Sequence, residues 1–316
     1  MRFGGATKWA LAGLLLVAMV PLLGERYYLD LTNQILIYAL FALSLNILVG
    51  YCGNLSFGHA AFFAIGGYSC VILTTTYGIP LTISLVLSIV ITAAAATAIG
   101  YVCVRLAAMH FAMLTLAFSM LVWSVAIKWT PVTGGDDGFV GAAIPALIST
   151  PVSFFYFALL VFSVALILLR VICTSTFGRA MIAIRENETR ATFMGIDVRK
   201  VRLQAFVIAG SFAGLAGALL GLYNRGMYPE SAFWTESGQV LIMVLLGGMH
   251  SFIGPVLGAA ALYILETVIN QYTEYWQIVL GVILLGVVLI APQGLAGLIS
   301  GFKRRKSRSG TGVEPE

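Results

Sequence analysis

Charge is scarce in this chain: Asp, Glu, Lys and Arg together make up 10% of its 316 residues. Soluble domains carry roughly a quarter of their residues charged. So small a share, beside 60% apolar residues and a mean hydropathy of +0.97, excludes an ordinary soluble globular protein. Cysteine is scarce too. Cys52, Cys70, Cys103 and Cys173 lie in or beside apolar segments without C-x-x-C spacing, which removes a disulfide framework and reads as small buried hydrophobes. No lysine stands in G-x-x-x-x-G-K-[ST], so ATP is not bound and hydrolysed here through a Walker A loop. H-E-x-x-H and G-x-S-x-G are missing as well. The chain is therefore expected to be no enzyme, and to carry no catalytic residue, metal or cofactor of its own. Arg105 sits at a span border and Glu266 is the one acid clearly inside a span. That leaves no string of buried carboxylates for a proton or sodium relay, which weighs against a secondary carrier. The energy source is expected on another chain.

What the chain has instead is apolar runs bounded by charge or Gly/Pro clusters: 9–23, 33–50, 60–77, 81–104, 106–127, 152–169, 203–223, 237–249, 253–270 and 276–291. Several reach the ~18–20 residues that cross a bilayer. The expected fold class is all-α, a polytopic integral membrane protein with about ten membrane segments, including broken or re-entrant helices. Thirty-four glycines suit close helix packing in such a protein. The run at 9–23, preceded by Arg2 and Lys8, reads as an uncleaved first span rather than a signal peptide, because no A-x-A-like site follows.

With those spans drawn, fifteen of the eighteen Lys and Arg residues fall on one side, and only Arg26, Lys128 and Arg225 on the other. Lys/Arg-rich short loops stay cytoplasmic, so both termini are expected inside and the Asp136–Asp137 loop outside. The pI near 9.1 then reflects topology and anionic lipid rather than nucleic acid. Keeping the basic tail Lys303–Arg308 inside requires a true reversal at Gly247–Phe252, although parity leaves open whether 237–270 crosses twice or forms a re-entrant hairpin. Residues 1–302 are read as the transmembrane domain, with a cytoplasmic loop at about 173–202, and 303–316 as a disordered basic tail.

That loop is the longest hydrophilic stretch inside the chain. Phe177–Glu188 has the spacing of a short helix with one apolar and one charged face. A second short helix from Glu188 to Met194 is stopped by Gly195, a residue suited to a left-handed cap. Met181, Ile184, Phe193 and Met194 favour a docking element over a solvated loop. A second polar concentration, Asn54, Ser56 and His59, falls in the glycine-rich break Gly50–His59, where freed backbone groups need protein or a cavity. The topology puts this break near the cytoplasmic side, so Ser56 and His59 are expected to govern passage rather than affinity. A lone histidine there is more often a capping residue than a ligand.

Six ordered motifs resemble one family. Gly50-Tyr51-Cys52-Gly53-Asn54-Leu55-Ser56-Phe57-Gly58-His59-Ala60-Ala61-Phe62-Phe63 resembles G-Y-x-G-x-x-S-x-G-H-A-A-F-F, and Thr133-Gly134-Gly135-Asp136-Asp137-Gly138 an external T-G-G-x-D-G loop. Phe177-Gly178-Arg179-Ala180 with Ala183-Ile184-Arg185-Glu186-Asn187-Glu188 resembles F-G-R-A…A-I-R-E-x-E. Phe212–Ala218, Gly247-Gly248 with Gly254-Pro255, and Pro292-Gln293-Gly294-Leu295 complete the series over residues 33–298. The chain thus resembles the M-type permease of the branched-chain amino acid ATP-binding-cassette importers. The general permease coupling pattern E-A-A-x-x-x-G survives only as Ala191-x-x-x-Gly195, with Glu188 seven residues before the glycine, a departure this family shares. The resemblance implies cytoplasmic ATP-binding subunits as partners, a second homologous permease, an external periplasmic solute-binding protein and a bacterial inner-membrane location. It implies branched-chain amino acids as cargo, with urea or short amides as the alternative and a stand-alone channel or carrier as the rival class. The ATPase-coupling loop is assigned Arg179, Arg185, Glu186, Glu188, Ala191 and Gly195. The translocation path or gate is assigned Asn54, Ser56, His59 and Glu266.

Overall fold

The computed structural model describes residues 17–23, 25–106, 108–142 and 148–272, with short pieces between 278 and 297. Most of the runs at 9–23 and 276–291, and the whole tail 303–316, lie outside the described residues. Each of the eight apolar runs between them is a helix: α1 Arg26–Asn46, α2 His59–Thr75, α3 Leu81–Cys103, α4 Ala108–Lys128, α5 Pro151–Thr174, and, after the basic loop, α8 Val198–Tyr223, α9 Trp234–Gly247 and α10 Gly254–Asn270. The loop itself folds as α6 Thr176–Glu186 and α7 Glu188–Phe193. A two-residue ribbon, β1 Phe139–Val140 against β2 Gly226–Met227, ties the loop after α4 to the one after α8.

Five helices among the described residues are long and apolar enough to cross a membrane: α1 with its extension to Cys52, α3, α4, α5 and α8. The other three are shorter. At 17, 14 and 17 residues, α2, α9 and α10 extend about 25, 21 and 25 Å, less than the ~30 Å hydrocarbon layer. The expected reversal at Gly247–Phe252 is present. Gly248 ends α9 at φ 104°, and α10 returns beside it, with Gly247 on Gly254 and the Met243 carbonyl on Gly258.

Helices approach closely where side chains vanish. α3 buries Ser84, Ser88, Thr92, Ala96 and Gly100, one residue every four, as a strip along α8. Opposite them, antiparallel, stand Gly214 at Thr92, Gly210 at Ala96 and Phe206 at Gly100. The hydroxyls of Ser88 and Thr92 donate to carbonyls of Leu85 and Ser88 in their own helix, so this strip carries no unmet donor. On its other flank α8 meets α2, where Gly66 touches Gly214 and Gly217 lies on the Phe63 carbonyl. α1 and α8 are thereby the buried centre, while α3, α4 and α5 turn broad apolar faces outward.

Candidate coupling site at the first helix break

α1 does not end cleanly. It widens into a π-helical turn, Ile47–Cys52, and stops at Gly53, whose φ of 76° only glycine takes up without strain. The amides of Gly53 and Asn54 both return to the Leu48 carbonyl. After Leu55 and Ser56, the Phe57 amide donates to Thr115 Oγ1 on α4, and Gly58 lies so close to the Thr115 carbonyl that no side chain fits. α2 starts at His59, and its Ala60 amide, an orphan donor at a helix start, is met at 2.8 Å by Ser237 Oγ of α9.

His59 is wholly buried. Ser44 donates its hydroxyl to the Phe41 carbonyl at 2.6 Å, so its oxygen accepts from His59 Nε2 at 2.8 Å. The proton therefore sits on Nε2, and Nδ1 is left as an acceptor with no partner. Phe41 stacks on the imidazole at 5.5 Å and 7°. Ser56 is 1% exposed and its Oγ has no partner either. Asn54, Ser56 and His59 are thus all buried in packed protein at this break.

Three elements far apart in sequence meet at this break. Gly50 abuts the Met249 carbonyl, and Asn46 Nδ2 donates to the Ser251 carbonyl at 3.4 Å, so the second glycine-rich break lies on the first. Gly294, from the last of the six motifs, closes on Gly247 and Gly248. From the basic loop, Arg185 of α6 donates to the Gly50 carbonyl, and its aliphatic stem covers Gly53. Arg170 sits over the Phe252 ring at 5.7 Å. Sequence reasoning placed Arg185 among docking residues and had no signal for its contact with a carbonyl 135 positions away.

The loop helices are built by local rules. Ser175 caps α6 by accepting from the Gly178 amide, and Asn187 caps α7 by accepting from Arg190 at 2.8 Å. Asp197 starts α8, its carboxyl held below the usual range first by the Lys200 backbone amide and then by that residue's side chain. α7 ends as expected at Gly195, φ 81°, with the Gly195 amide on Thr192 and the Ile196 amide on Ala191, the paired bonds of a Schellman motif. Ala191, Ile184 and Val198 form a small core beneath it. The four apolar loop residues divide by side: Met181 and Ile184 anchor inward, whereas Phe193 and Met194 are 88% and 71% exposed. Arg179, Glu186 and Arg190 are exposed as well. Glu188 takes both guanidinium nitrogens of Arg202, at 3.1 and 2.8 Å, strapping α7 to α8.

These contacts set the expected result for two loop variants. Glu188→Lys replaces a bidentate strap with two cations, and Gly195→Pro removes both the amide on Thr192 and access to φ 81°. Each is expected to lower energised solute uptake by about fivefold or more, the low end of typical coupling between sites, without loss of membrane-inserted protein. Uptake assayed beside membrane yield decides it, and normal uptake in both variants removes the loop from function.

Glu266 does not join the break. It lies twelve residues beyond the start of α10, some 18 Å along the axis, where Gln239 Nε2 donates to it at 3.5 Å. Beside it Tyr38 donates to Glu236 at 3.5 Å and packs on Tyr263 at 4.9 Å. Glu236 falls inside a helix because α9 begins at Trp234, ahead of the apolar run that marks it in sequence.

A family model described as the branched-chain amino acid transport system permease component matches residues 27–288. The chain is similar to the high-affinity branched-chain amino acid transport system permease protein LivM of Salmonella typhimurium, 30% identical over 97% of this chain and 79% of that protein. It is equally similar to LivM of Escherichia coli, 30% identical over 91% of this chain and 74% of that protein. The LivH permease of Escherichia coli is 33% identical, over 39% of this chain and 40% of its own. No solved structure matches significantly.

Proposed function

The chain belongs to the branched-chain amino acid transport permease family, and we propose that it is the translocation subunit of an ATP-binding-cassette importer for those amino acids. One contact carries the mechanism: Arg185, on the helix that would dock an ATPase, holds the backbone of the break at Gly50 and Gly53. The exposed Phe193–Met194 tip would seat in a cytoplasmic ATP-binding subunit. Movement of α6 on ATP binding would pull the break open. Ser56 Oγ and His59 Nδ1, buried without partners in the closed form, would gain water there, each recovering about 1–3 kcal/mol. Opening is thus made cheap by polar groups that the closed form leaves unmet. A second, homologous permease would complete the path, and an external binding protein would deliver solute near Asp136 and Asp137. The test is uptake by the reconstituted complex in vesicles, against amino acids, urea and short amides, with and without ATP on the cytoplasmic side. ATP-dependent uptake of branched-chain amino acids supports the reading, and uptake indifferent to ATP refutes it.

The same reading has about ten membrane segments in the bacterial inner membrane, with both termini cytoplasmic. It rests on the fifteen-to-three division of Lys and Arg. A membrane-impermeant thiol reagent added to intact cells is expected to label Asp136→Cys and to spare Arg185→Cys and Arg305→Cys. Labelling at 185 from outside would overturn the topology.

A further inference from the structure

At the far end of α8 from the coupling helices, some 39 Å along its axis, a cavity of about 280 Å³ opens between the start of α1, the start of α5 and the end of α8. Two of the three basic residues assigned to the external side, Arg26 and Arg225, line it, together with Asp30, Asn33 and Tyr223. Its floor is Phe154 with Ile148 and Leu222, all buried and apolar. Arg26, Asp30 and Asn33 stand at helical spacings of four and three, so one face of α1 presents a cation, an anion and an amide in order. The Tyr223 hydroxyl faces the Asp30 carboxylate, with Arg26 nearby.

Two features show a built site. Asn33 is 1% exposed, yet its Oδ1, an acceptor, has no partner. Buried amide oxygens are nearly always met, and Asn33 also lines this cavity, so a small turn of its amide would offer the oxygen to a donor there. Arg225, alone among the described non-glycine residues, has positive φ, at 53°. Its carbonyl accepts from the Gly141 and Ala142 amides at 3.0 and 2.9 Å, which fixes it to the strand that leads from the Thr133–Gly138 turn.

We propose that this cavity binds a zwitterionic aliphatic α-amino acid. Its carboxylate lies with the guanidiniums of Arg26 and Arg225, its ammonium donates to Asp30 and, once the buried amide turns toward the cavity, to Asn33 Oδ1, and its side chain rests on the apolar floor. A carboxylate between guanidiniums and an ammonium on a carboxylate are hydrogen-bonded ion pairs, which neutral urea or a simple amide cannot form. The size agrees, since small-ligand cavities begin near ~300 Å³. The proposal rests on the permease reading and adds to it a docking point for solute on the side where it arrives.

The test uses the assembled complex in lipid nanodiscs without the binding protein, with radiolabelled L-leucine as probe. Saturable leucine binding is expected, displaced by L-isoleucine. 4-Methylpentanoate, which lacks the ammonium, and 3-methylbutylamine, which lacks the carboxylate, are expected to compete at least about tenfold more weakly. Asp30→Asn and Arg225→Gly are expected to weaken binding about tenfold or more. Glycine is chosen at 225 because it adopts φ 53° freely, so that variant loses the guanidinium without straining the backbone. Unchanged leucine binding in both variants overturns the proposal, as does equal competition by 4-methylpentanoate. Loss of bound phosphatidylethanolamine from the Arg225→Gly complex, with leucine binding intact, would assign the cavity to a lipid headgroup and overturn it too. If the intact transporter pumps leucine with ATP while these binding arms fail, the cavity assignment falls and the importer reading stands.

Discussion

Replacing Arg185 by alanine is expected to cut ATP-driven amino acid uptake by at least about tenfold while the partner ATPase continues to hydrolyse ATP. The guanidinium donates to the Gly50 carbonyl and its stem covers Gly53, so one side chain joins the loop helix to the break. Alanine keeps α6 helical, since alanine is the best helix former, and removes only the link. Energetic coupling between sites is typically worth 1–3 kcal/mol, or about 5–150-fold. Arg185→Lys is expected to fall between the two, because lysine keeps the stem over Gly53 and an ammonium that can donate to the Gly50 carbonyl, but loses the fixed fork of the guanidinium. Uptake and ATP hydrolysis measured on the same proteoliposomes separate the outcomes: hydrolysis without uptake is the expected pattern, and unimpaired uptake contradicts it.

Gly217→Val is expected to prevent the permease from assembling at all. A Cβ at 217 would overlap the Phe63 carbonyl, a backbone atom that cannot rotate away. One residue-turn along, Gly66 and Gly214 meet backbone to backbone, and Gly214 also faces Thr92 of α3. Three helices are thus held at contact distance by one short stretch of α8. Overpacking a core costs about 1–3 kcal/mol where side chains can yield, and here the obstructing group cannot. Gly238→Val is the control, since nothing lies within 4 Å of a Cβ at that position. Monodisperse detergent-extracted protein should vanish for Gly217→Val and persist for Gly238→Val.

The elements were legible wherever a local pattern carries them. All eight apolar runs within the described region became helices, the reversal at Gly247–Phe252 followed from charge parity, and the Gly195 cap followed from a glycine after a short amphipathic stretch. Boundaries shifted where polar residues extend a helix past its apolar stretch. α8 begins at Val198, because Asp197 caps it ahead of Arg199 and Lys200. α9 begins at Trp234, which brings Glu236 into the helix. The candidate site was legible as residue types and not as contacts. Hydropathy and spacing report what lies within one or two turns, whereas Gly50 meets Arg185 and Met249 only through the packing of elements distant in sequence. His59 illustrates the same limit: its position in a break was visible, but its bond to Ser44 and its stack on Phe41 depend on how α1 lies across α2. No pattern marked the cavity of Arg26 and Arg225 either, since its two cations lie 199 positions apart.

The central claim is that the nucleotide state of an ATPase partner reaches the break through α6. Ser56 reports it most directly, being 1% exposed in this structure. In a chain whose four native cysteines are replaced, the rate at which a thiol reagent modifies Ser56→Cys can be followed in the assembled transporter, with and without ATP. The account predicts a rate that changes about 5–150-fold with nucleotide and a change that disappears when Arg185→Ala is added. A rate that is the same in both nucleotide states, or a nucleotide-dependent change that survives Arg185→Ala, would contradict it.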